Sequence, residues 1–551
     1  RIVNFAHGSL YMLGIYVAYS IVQELGNHAF GFWFSLLLAA LVIGALGALV
    51  EIILLRRIYR APELFQLLAT FALVLIFRDV ALFIWGPQDL LGPIAPGLNG
   101  SIKILGHYFP KYDVVLIFIG PVVLGLLWLL LTRTRWGTLV RAATQDREML
   151  GALGVNQAWL FTAVFALGAF LAALGGAVQI PRLPANLTLD LGVIGDAFVI
   201  VVVGGMGSIP GAYVAALIIA ELKAMCIALG TVSLFGFTFD FPRLTLVVEF
   251  IFMALVLVFR PWGLFGTVAS VSRNSAPIEA PYRPATAPFK WFIAVVIAVV
   301  AALPLMSAWL PYAPVLALDI MVAALFALSL HFIMGPGGMH SFGHAAYYGL
   351  GAYGAALLLK TAAFSMGWSM AIAPIIAGFG ALIFGWFCVR LAGVYLAMLT
   401  LAFGQIVWSV IYQWDSFTGG SNGMIGIWPA PWLSGDAYYY FAFAIVIISA
   451  IVLRRLLFSP FGYALSAARD SGLRADALGG IQTLVGPIVG AATFQFLQDY
   501  FMGITQYWLA LFGGVILLIV LAFPQGVAGY FKEFFDYRAA RRAQALATAK
   551  E

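Results

Sequence analysis

The stretch DVVLIFIGPVVLGLLWLLL (113–131) carries one charge, at its first residue, and is otherwise apolar. Comparable runs recur at 158–180, 244–259 and 438–453. About 20 mostly apolar residues suffice for a helix to cross a bilayer, so each run is a candidate span. Over the whole chain 63% of residues are hydrophobic and 9% are charged; a soluble domain carries about 25% charged residues. A chain of this make-up cannot cover itself with polar surface, and lipid must be its solvent. Lipid offers no water to backbone amides, so spanning segments are helices or closed barrels. The period-two alternation of a barrel strand is missing. The expectation is an all-α polytopic membrane protein with roughly fourteen to sixteen membrane segments by hydropathy.

The few charges fall in clusters. Arg56, Arg57 and Arg60 form one; Arg133, Arg135, Arg141 and Arg147 a second; Arg454, Arg455, Arg469 and Arg474 a third. A fourth runs from Lys532 through Arg538, Arg541 and Arg542 to Lys550. Lysine and arginine in short loops mark the cytoplasmic side. The net charge of +6 then reflects topology. No basic face is interleaved with exposed aromatics, so nucleic acid is not an expected partner. Cys226 and Cys388 both sit in apolar segments and suggest neither a disulfide framework nor a metal site. No segment has metal-ligand spacing or a nucleophile–base set, so the chain is not expected to be an enzyme. It opens at Arg1, on the edge of its first motif, and some N-terminal sequence is expected to be absent.

That first motif occurs twice. NFAHGSLYMLGIYVA (4–18) and SFGHAAYYGLGAYGAA (from 341) align at an offset of 337. Phe5, His7, Tyr11, Gly14, Tyr16 and Ala18 recur as Phe342, His344, Tyr348, Gly351, Tyr353 and Ala355. A second repeat pairs WGTLVRAATQDREMLGALG (136–154) with FGYALSAARDSGLRADALG (461–479), at an offset of 325. A third, weaker one pairs FRPWGLFG (259–266) with FPQGVAG (523–529). Between the copies, VASVSRNSAPIEAPYRPATAPFK (268–290) is polar, holds four prolines, and reads as an extended linker. The halves are therefore set at 1–267 and 290–551, with a cytoplasmic linker at 268–289. Copies in the same order and on the same side of the membrane imply two parallel, pseudo-symmetric halves, as in other duplicated transporters.

Each copy of the second repeat is a short charged segment between membrane spans. Small residues, Ala142, Ala143 and Gly154 in one copy and Ala467, Ala468 and Gly479 in the other, permit close approach of a partner surface. Arg141, Gln145 and Asp146, and Arg469 and Asp470, offer polar contacts at the rim. A duplicated cytoplasmic element implies a duplicated partner, the geometry of a transport ATPase pair. The chain itself has no G-x-x-x-x-G-K-[ST] phosphate loop; GPGGMHSFG has glycines without the lysine.

These motifs carry a family resemblance. RIVNFAHGSLYMLGIYVA, RAATQDREMLGALGV and VVGGMGSIPGAYVAAL resemble the H-type permease of branched-chain amino-acid ABC importers. SFGHAAYYGLGAYGAALL, GVYLAMLTLAFGQIVW, TGGSNGMIGI and FGYALSAARDSGLRADALG resemble its M-type partner. The chain thus looks like a fusion of the two. The resemblance implies a multi-pass protein of the bacterial inner membrane, two ABC ATPase subunits inside, and a periplasmic binding protein outside. No cofactor is expected in this chain; ATP and Mg belong to the ATPase subunits. Cargo in the family spans branched-chain and other amino acids, urea and short amides, and aromatic acids. The alternatives from other classes are an ion-coupled secondary transporter and a passive solute channel.

Polar residues inside apolar spans are costly and functional by default. Asn4, His7, Ser341, His344, Thr400 and Gln405 are accordingly candidates for the translocation pathway. Arg78 and Asp79, adjacent on a helix, must each pair elsewhere. Gly204, Gly205, Gly207 and Gly211, with Ser208, suggest a helix break, and broken backbone at membrane depth must line a cavity or be buried in protein. Gly204, Gly205, Gly207 and Ser208 are added to the pathway list; Thr418–Gly423 suits an outward loop.

The register of the two halves drifts gently and then jumps. The offset is 337 at the histidines, 330 for Thr70/Thr400 and 325 for Leu153/Leu478. GGMGSIPGAYVAA (204–216) then matches GGIQTLVGPIVGA (479–491) at 275. Fifty residues, the counterpart of Val155–Gly204, are expected to be missing between Leu478 and Ile481, either skipped by the numbering or deleted.

Overall fold

The computed structural model describes residues 4–522 except 27, 60–62, 105, 235–236, 267–286, 363, 390, 392, 464 and 466–484. The Leu478–Ile481 junction and residues 268–286 of the linker therefore lie outside the described residues. Sixteen helices of twelve residues or more are present among the described residues. Nine are long and apolar enough to cross a membrane, and three shorter apolar helices accompany them. The runs read from sequence fall on Lys111–Arg133, Gln157–Ala177, Val248–Phe259 and Asp436–Leu457. Two short antiparallel hairpins were not foreseen: β1 (Ser101–Ile104) with β2 (His107–Pro110), and β3 (Thr231–Leu234) with β4 (Phe237–Asp240). Both sit in loops between helices.

The chain divides into two compact units, Arg1–Ala197 with Tyr500–Gly526, and Phe198–Asp499 with Val527–Glu551. In the first unit lie α1 (Ala6–Leu25), α2 (Ala29–Val50), α3 (Glu63–Trp85), α4 (Lys111–Arg133), α5 (Arg135–Gln145), α6 (Arg147–Ala152), α7 (Gln157–Ala177) and the start of α8 (Leu189–Gly204). Its core gathers Leu10, Met12, Ile15, Tyr16, Phe32 and Ala173. α7 lies in the groove between α1 and α2. The close approach depends on absent side chains: a Cβ on Gly14 would stand 2.5 Å from the Ala173 Cα, and one on Gly47 2.5 Å from the Ala169 Cβ. Small residues at helix crossings are how membrane bundles gain dispersion contact without a hydrophobic drive. α2 runs on through a π-helical turn, Glu51–Leu55. There the buried Glu51 carboxylate accepts from the Thr162 hydroxyl of α7 and from Arg56 at 3.3 Å.

The second unit holds the rest of α8, α9 (Ile209–Leu229), α10 (Val248–Phe259), α11 (Ala287–Ala302), α12 (Ala313–Met334), α13 (His344–Lys360), α14 (Met366–Cys388), α15 (Gly393–Gln413), α16 (Asp436–Leu457) and all but the last turn of α17 (Val485–Ile504). α13 packs on α14 as α1 packs on α2, and α12 packs on α16 around Ala317, Met321 and Tyr439. Lys223 and Glu249 bridge α9 and α10 at 2.8 Å.

The units cut across the repeat. α18 (Trp508–Ala522), the last described helix of the second half, packs in the first unit against α3. α10, the last helix of the first half, packs in the second unit against α15, the counterpart of α3. Each half therefore gives its final helix to the α3-type helix of the other.

Candidate functional site

Both histidine motifs fold as the entry turn of a helix, and each turn is tethered by the same residue. Phe5 N–H donates to Thr70 Oγ1 at 3.4 Å, and Phe342 N–H donates to Thr400 Oγ1 at 3.0 Å. Each threonine hydroxyl in turn donates one turn back, to Leu67 and Ala397 carbonyls. The duplicated contact explains why Thr70 and Thr400 keep register with the motifs. Asn4 caps the first turn, its Oδ1 accepting from Ala6 N–H at 3.1 Å. His7 is half-buried on the α1 side that meets α7, 3.9 Å from where a Cβ on Gly168 would stand. His344 is half-buried too; its Nε2 lies 2.8 Å from Ser329 Oγ of α12, and its ring packs on Phe326. Ser341 is buried, and Gln405 is half-buried one turn beyond Thr400 on α15.

Three buried polar side chains have partners that the sequence does not name. Asp190, at the start of α8, is buried and its Oδ2 accepts from Ser9 Oγ at 3.4 Å. Asp79 accepts from Ala510 N–H at 2.6 Å, so its carboxyl caps the N-terminus of the exchanged helix α18. At the matching place in the second unit, Ser409, 330 residues after Asp79, donates to the Leu246 carbonyl just ahead of α10, at 3.4 Å. Asp79 thus finds its partner in the other half of the sequence. A four-residue search around it could not have found that partner.

The glycine break is a turn between α8 and α9. Gly205 and Gly207 have φ of +98° and +99°, where glycine is favoured. Ser208 caps α9 by accepting from Gly211 N–H at 3.1 Å. Backbone packs directly on the turn: Leu264 N–H donates to the Val203 carbonyl at 2.8 Å and Phe265 N–H to Gly204 at 3.1 Å. Gly204 and Gly205 are buried; Gly207 is exposed. Of the two settings that tolerate broken backbone, the turn takes burial against the FRPWGLFG segment. Thr418–Gly423 is a tight turn after α15, with the Thr418 hydroxyl donating to Ile411 and Trp414 carbonyls.

The second repeat of the first half folds as an elbow of α5 and α6. Thr134 caps α5 by accepting from Gly137 N–H at 3.0 Å. A Cβ on Gly137 would press on the Leu130 and Leu131 backbone. The second half repeats this: Ser459 accepts from Gly462 N–H at 3.3 Å, and Gly462 abuts Leu456 and Leu457. Asp146, read as a rim contact, also caps α6 through Met149 N–H at 2.9 Å. Arg141, Gln145, Asp146 and Gly154 are exposed, and Ala142 and Ala143 are half-buried. Met149 and Leu153, 60% and 73% exposed, are apolar members of the same elbow that sequence reading passed over. Ala467, Ala468, Arg469, Asp470 and Gly479 lie outside the described residues. No cluster of three potential metal ligands occurs among the described residues.

Comparison with known proteins agrees with this duplicated architecture. The family described as branched-chain amino acid transport system / permease component matches residues 1–259 and 313–480. The high-affinity branched-chain amino acid transport system permease protein BraD of Pseudomonas aeruginosa is 27% identical over 274 residues, 48% of this chain and 86% of BraD. The permease protein LivH of Escherichia coli K12 is 26% identical over 278 residues, 48% of this chain and 85% of LivH. LivM of the same organism is 29% identical over 188 residues, 29% of this chain and 44% of LivM. Similarity to LivH lies in the first half and similarity to LivM is partial, as for an H-type and M-type fusion. With the family matched over most of both halves, this chain belongs to the permease components of branched-chain amino acid ABC transport systems, as a multi-pass, non-catalytic membrane subunit.

Proposed function

We propose that this chain forms the solute pathway of an ATP-driven importer of branched-chain amino acids. The observation that carries the proposal is the duplicated Thr70–Phe5 and Thr400–Phe342 tether. It fixes two histidine-bearing helix entries in equivalent settings, within a chain whose relatives are named for branched-chain amino acid transport. His7, His344, Asn4, Ser341, Thr400 and Gln405 are the groups proposed to meet or position solute. Two ABC ATPase subunits, using ATP and Mg, dock on the α5–α6 elbow and on its counterpart after Ser459. Exposed Met149 and Leu153 supply apolar contact, and Arg141 and Gln145 supply the rim. A periplasmic binding protein delivers solute to the outward loops, where Ile425 and Trp428 are 76% and 81% exposed.

An ion-coupled carrier would need free acidic groups at depth. Asp79 is taken up by a helix N-terminus and Asp190 by Ser9, which favours the ATP-driven reading. The test is leucine uptake into vesicles carrying the chain with its native partners. Co-isolated ATPase subunits and block by vanadate are the expected results. Uptake that survives vanadate and collapses with the proton gradient would assign an ion-coupled carrier. Competition by urea, short amides or aromatic acids in the same assay reads the solute class.

A further inference from the structure

In the first half, α7 is followed by α8, and α7 fills the groove between α1 and α2. The counterpart groove lies between α13 and α14. There the residues aligned with the α7-facing side of α1 are open. Ile15 is fully buried and its counterpart Ala352 is exposed; Tyr348, counterpart of the half-buried Tyr11, is 56% exposed. Gly14 touches the α7 backbone, whereas among the described residues the nearest atom to a Cβ on Gly351 would be the Ala377 Cβ at 3.8 Å. On α14, Cβ atoms built on Gly378 and Gly385 would have no neighbour within 4 Å among the described residues.

The sequence register says what would cover this groove. The offset between halves falls from 325 to 275 between Leu153/Leu478 and Gly205/Gly480. The fifty residues without a counterpart, Val155–Gly204, are α7 and α8. The family match is a second, independent sign: it runs unbroken to 259 in the first half and stops at 480 in the second.

We propose that the α13–α14 groove is a helix-docking site whose occupant is an apolar two-helix hairpin of the Val155–Gly204 type. The hairpin belongs to this chain's architecture between Gly479 and Gly480 and is absent from the 551 residues. The fit is to an α7-like helix with glycine or alanine on its inward face. The second helix of the hairpin must stand further off than α8 does. Gly8 lies against the Asp190 carbonyl, and its counterpart, Ala345, carries the methyl that would intrude there.

The test places a nitroxide label at Ala352→Cys, in a background lacking Cys226 and Cys388, in the purified chain in lipid vesicles. In the 551-residue chain the label should be mobile and accessible to oxygen dissolved in lipid. In a chain with a second copy of Val155–Gly204 inserted between Gly479 and Gly480, the mobile component should be lost. Gly351→Leu in the inserted chain should bring it back. A label at Ile15→Cys reports separately on the first half and should be immobile throughout. Two results overturn the proposal. One is an inserted chain whose Ile15 label is immobile while its Ala352 label stays mobile. The other is a 551-residue chain whose Ala352 label is already immobile; mobility regained on dilution with excess lipid would then assign the groove to a second copy. Because the readout is mobility, its failure is separate from any failure of ATP-driven uptake.

Discussion

Gly14→Ala and Gly351→Ala place the same methyl group at equivalent positions of the repeat, and the structure gives them opposite outcomes. At Gly14 the new Cβ would lie 2.5 Å from the Ala173 Cα and 2.6 Å from its carbonyl oxygen. Carbon atoms in contact rest about 3.5–4.0 Å apart, so α1 and α7 must part by about 1 Å. The same seam seats Gly176 against the Tyr11 carbonyl, so parting loosens the whole crossing. Overpacking of this kind costs about 1–3 kcal/mol. Alanine returns about 0.5–1 kcal/mol over glycine within a helix. The net loss lies between about 0 and 2.5 kcal/mol and centres near 1 kcal/mol, a factor of about 5 in the folded ratio. At Gly351 the methyl meets only ordinary contact at 3.8 Å, which leaves the helix-propensity gain of about 0.5–1 kcal/mol. SDS titration of the purified protein in mixed micelles, followed by tryptophan fluorescence, reads both. Equal midpoints for the two variants, or a larger loss at Gly351, would refute the packing argument.

Asp79→Ala should cost about 1–3 kcal/mol in the same SDS titration, because it strips the acceptor from the half-buried α18 N-terminus; Asp79→Asn keeps an oxygen there and should lose less, and equal losses would count against capping. Thr400→Val should slow leucine uptake and cost about 1 kcal/mol through loss of the Phe342 contact. Thr400→Ser should restore both; a serine variant as impaired as valine would point to methyl packing instead. Leu153→Asp sits on an exposed site, so it should shift stability by no more than about 0.5 kcal/mol. It should nonetheless release the ATPase subunits during co-purification, and retention at wild-type yield would remove the elbow from the docking surface.

The spans were legible because lipid imposes one rule on every backbone amide, and that rule writes long apolar runs into the sequence. The repeat was legible wherever one side chain does one job in both halves. Thr70 and Thr400 hold their register because each takes a backbone N–H ahead of a histidine helix. The Gly137 and Gly462 elbows hold theirs because no Cβ fits against the preceding turn. The glycine break was ambiguous on physical grounds. Missing side chains serve an unwound, solute-lining backbone and a close backbone contact equally well. The neighbour that makes the close contact, Trp262–Gly266, is more than fifty residues away in sequence. Asp146 carries a capping role that its local pattern did not separate from a rim contact, since an exposed aspartate serves either. The partner of Asp79 left no trace at all, because a contact across 431 residues has no period.

The exchange of final helices also sets a timetable. Ribosomes add about 5–20 residues per second, so α18 emerges roughly 20–90 s after Asp79, across those 431 residues. For that interval α3 stands in the bilayer with its acidic cap unused and its α18-facing side open to lipid. The reciprocal contact has no such delay, because α10 is already made when α15 and Ser409 arrive. Two joints related by the repeat therefore close at very different moments. The α10–α15 joint forms as the second half is inserted, and the α3–α18 joint seals only when synthesis is nearly complete. Truncation anywhere in the second half would thus expose its damage in the first, at α3.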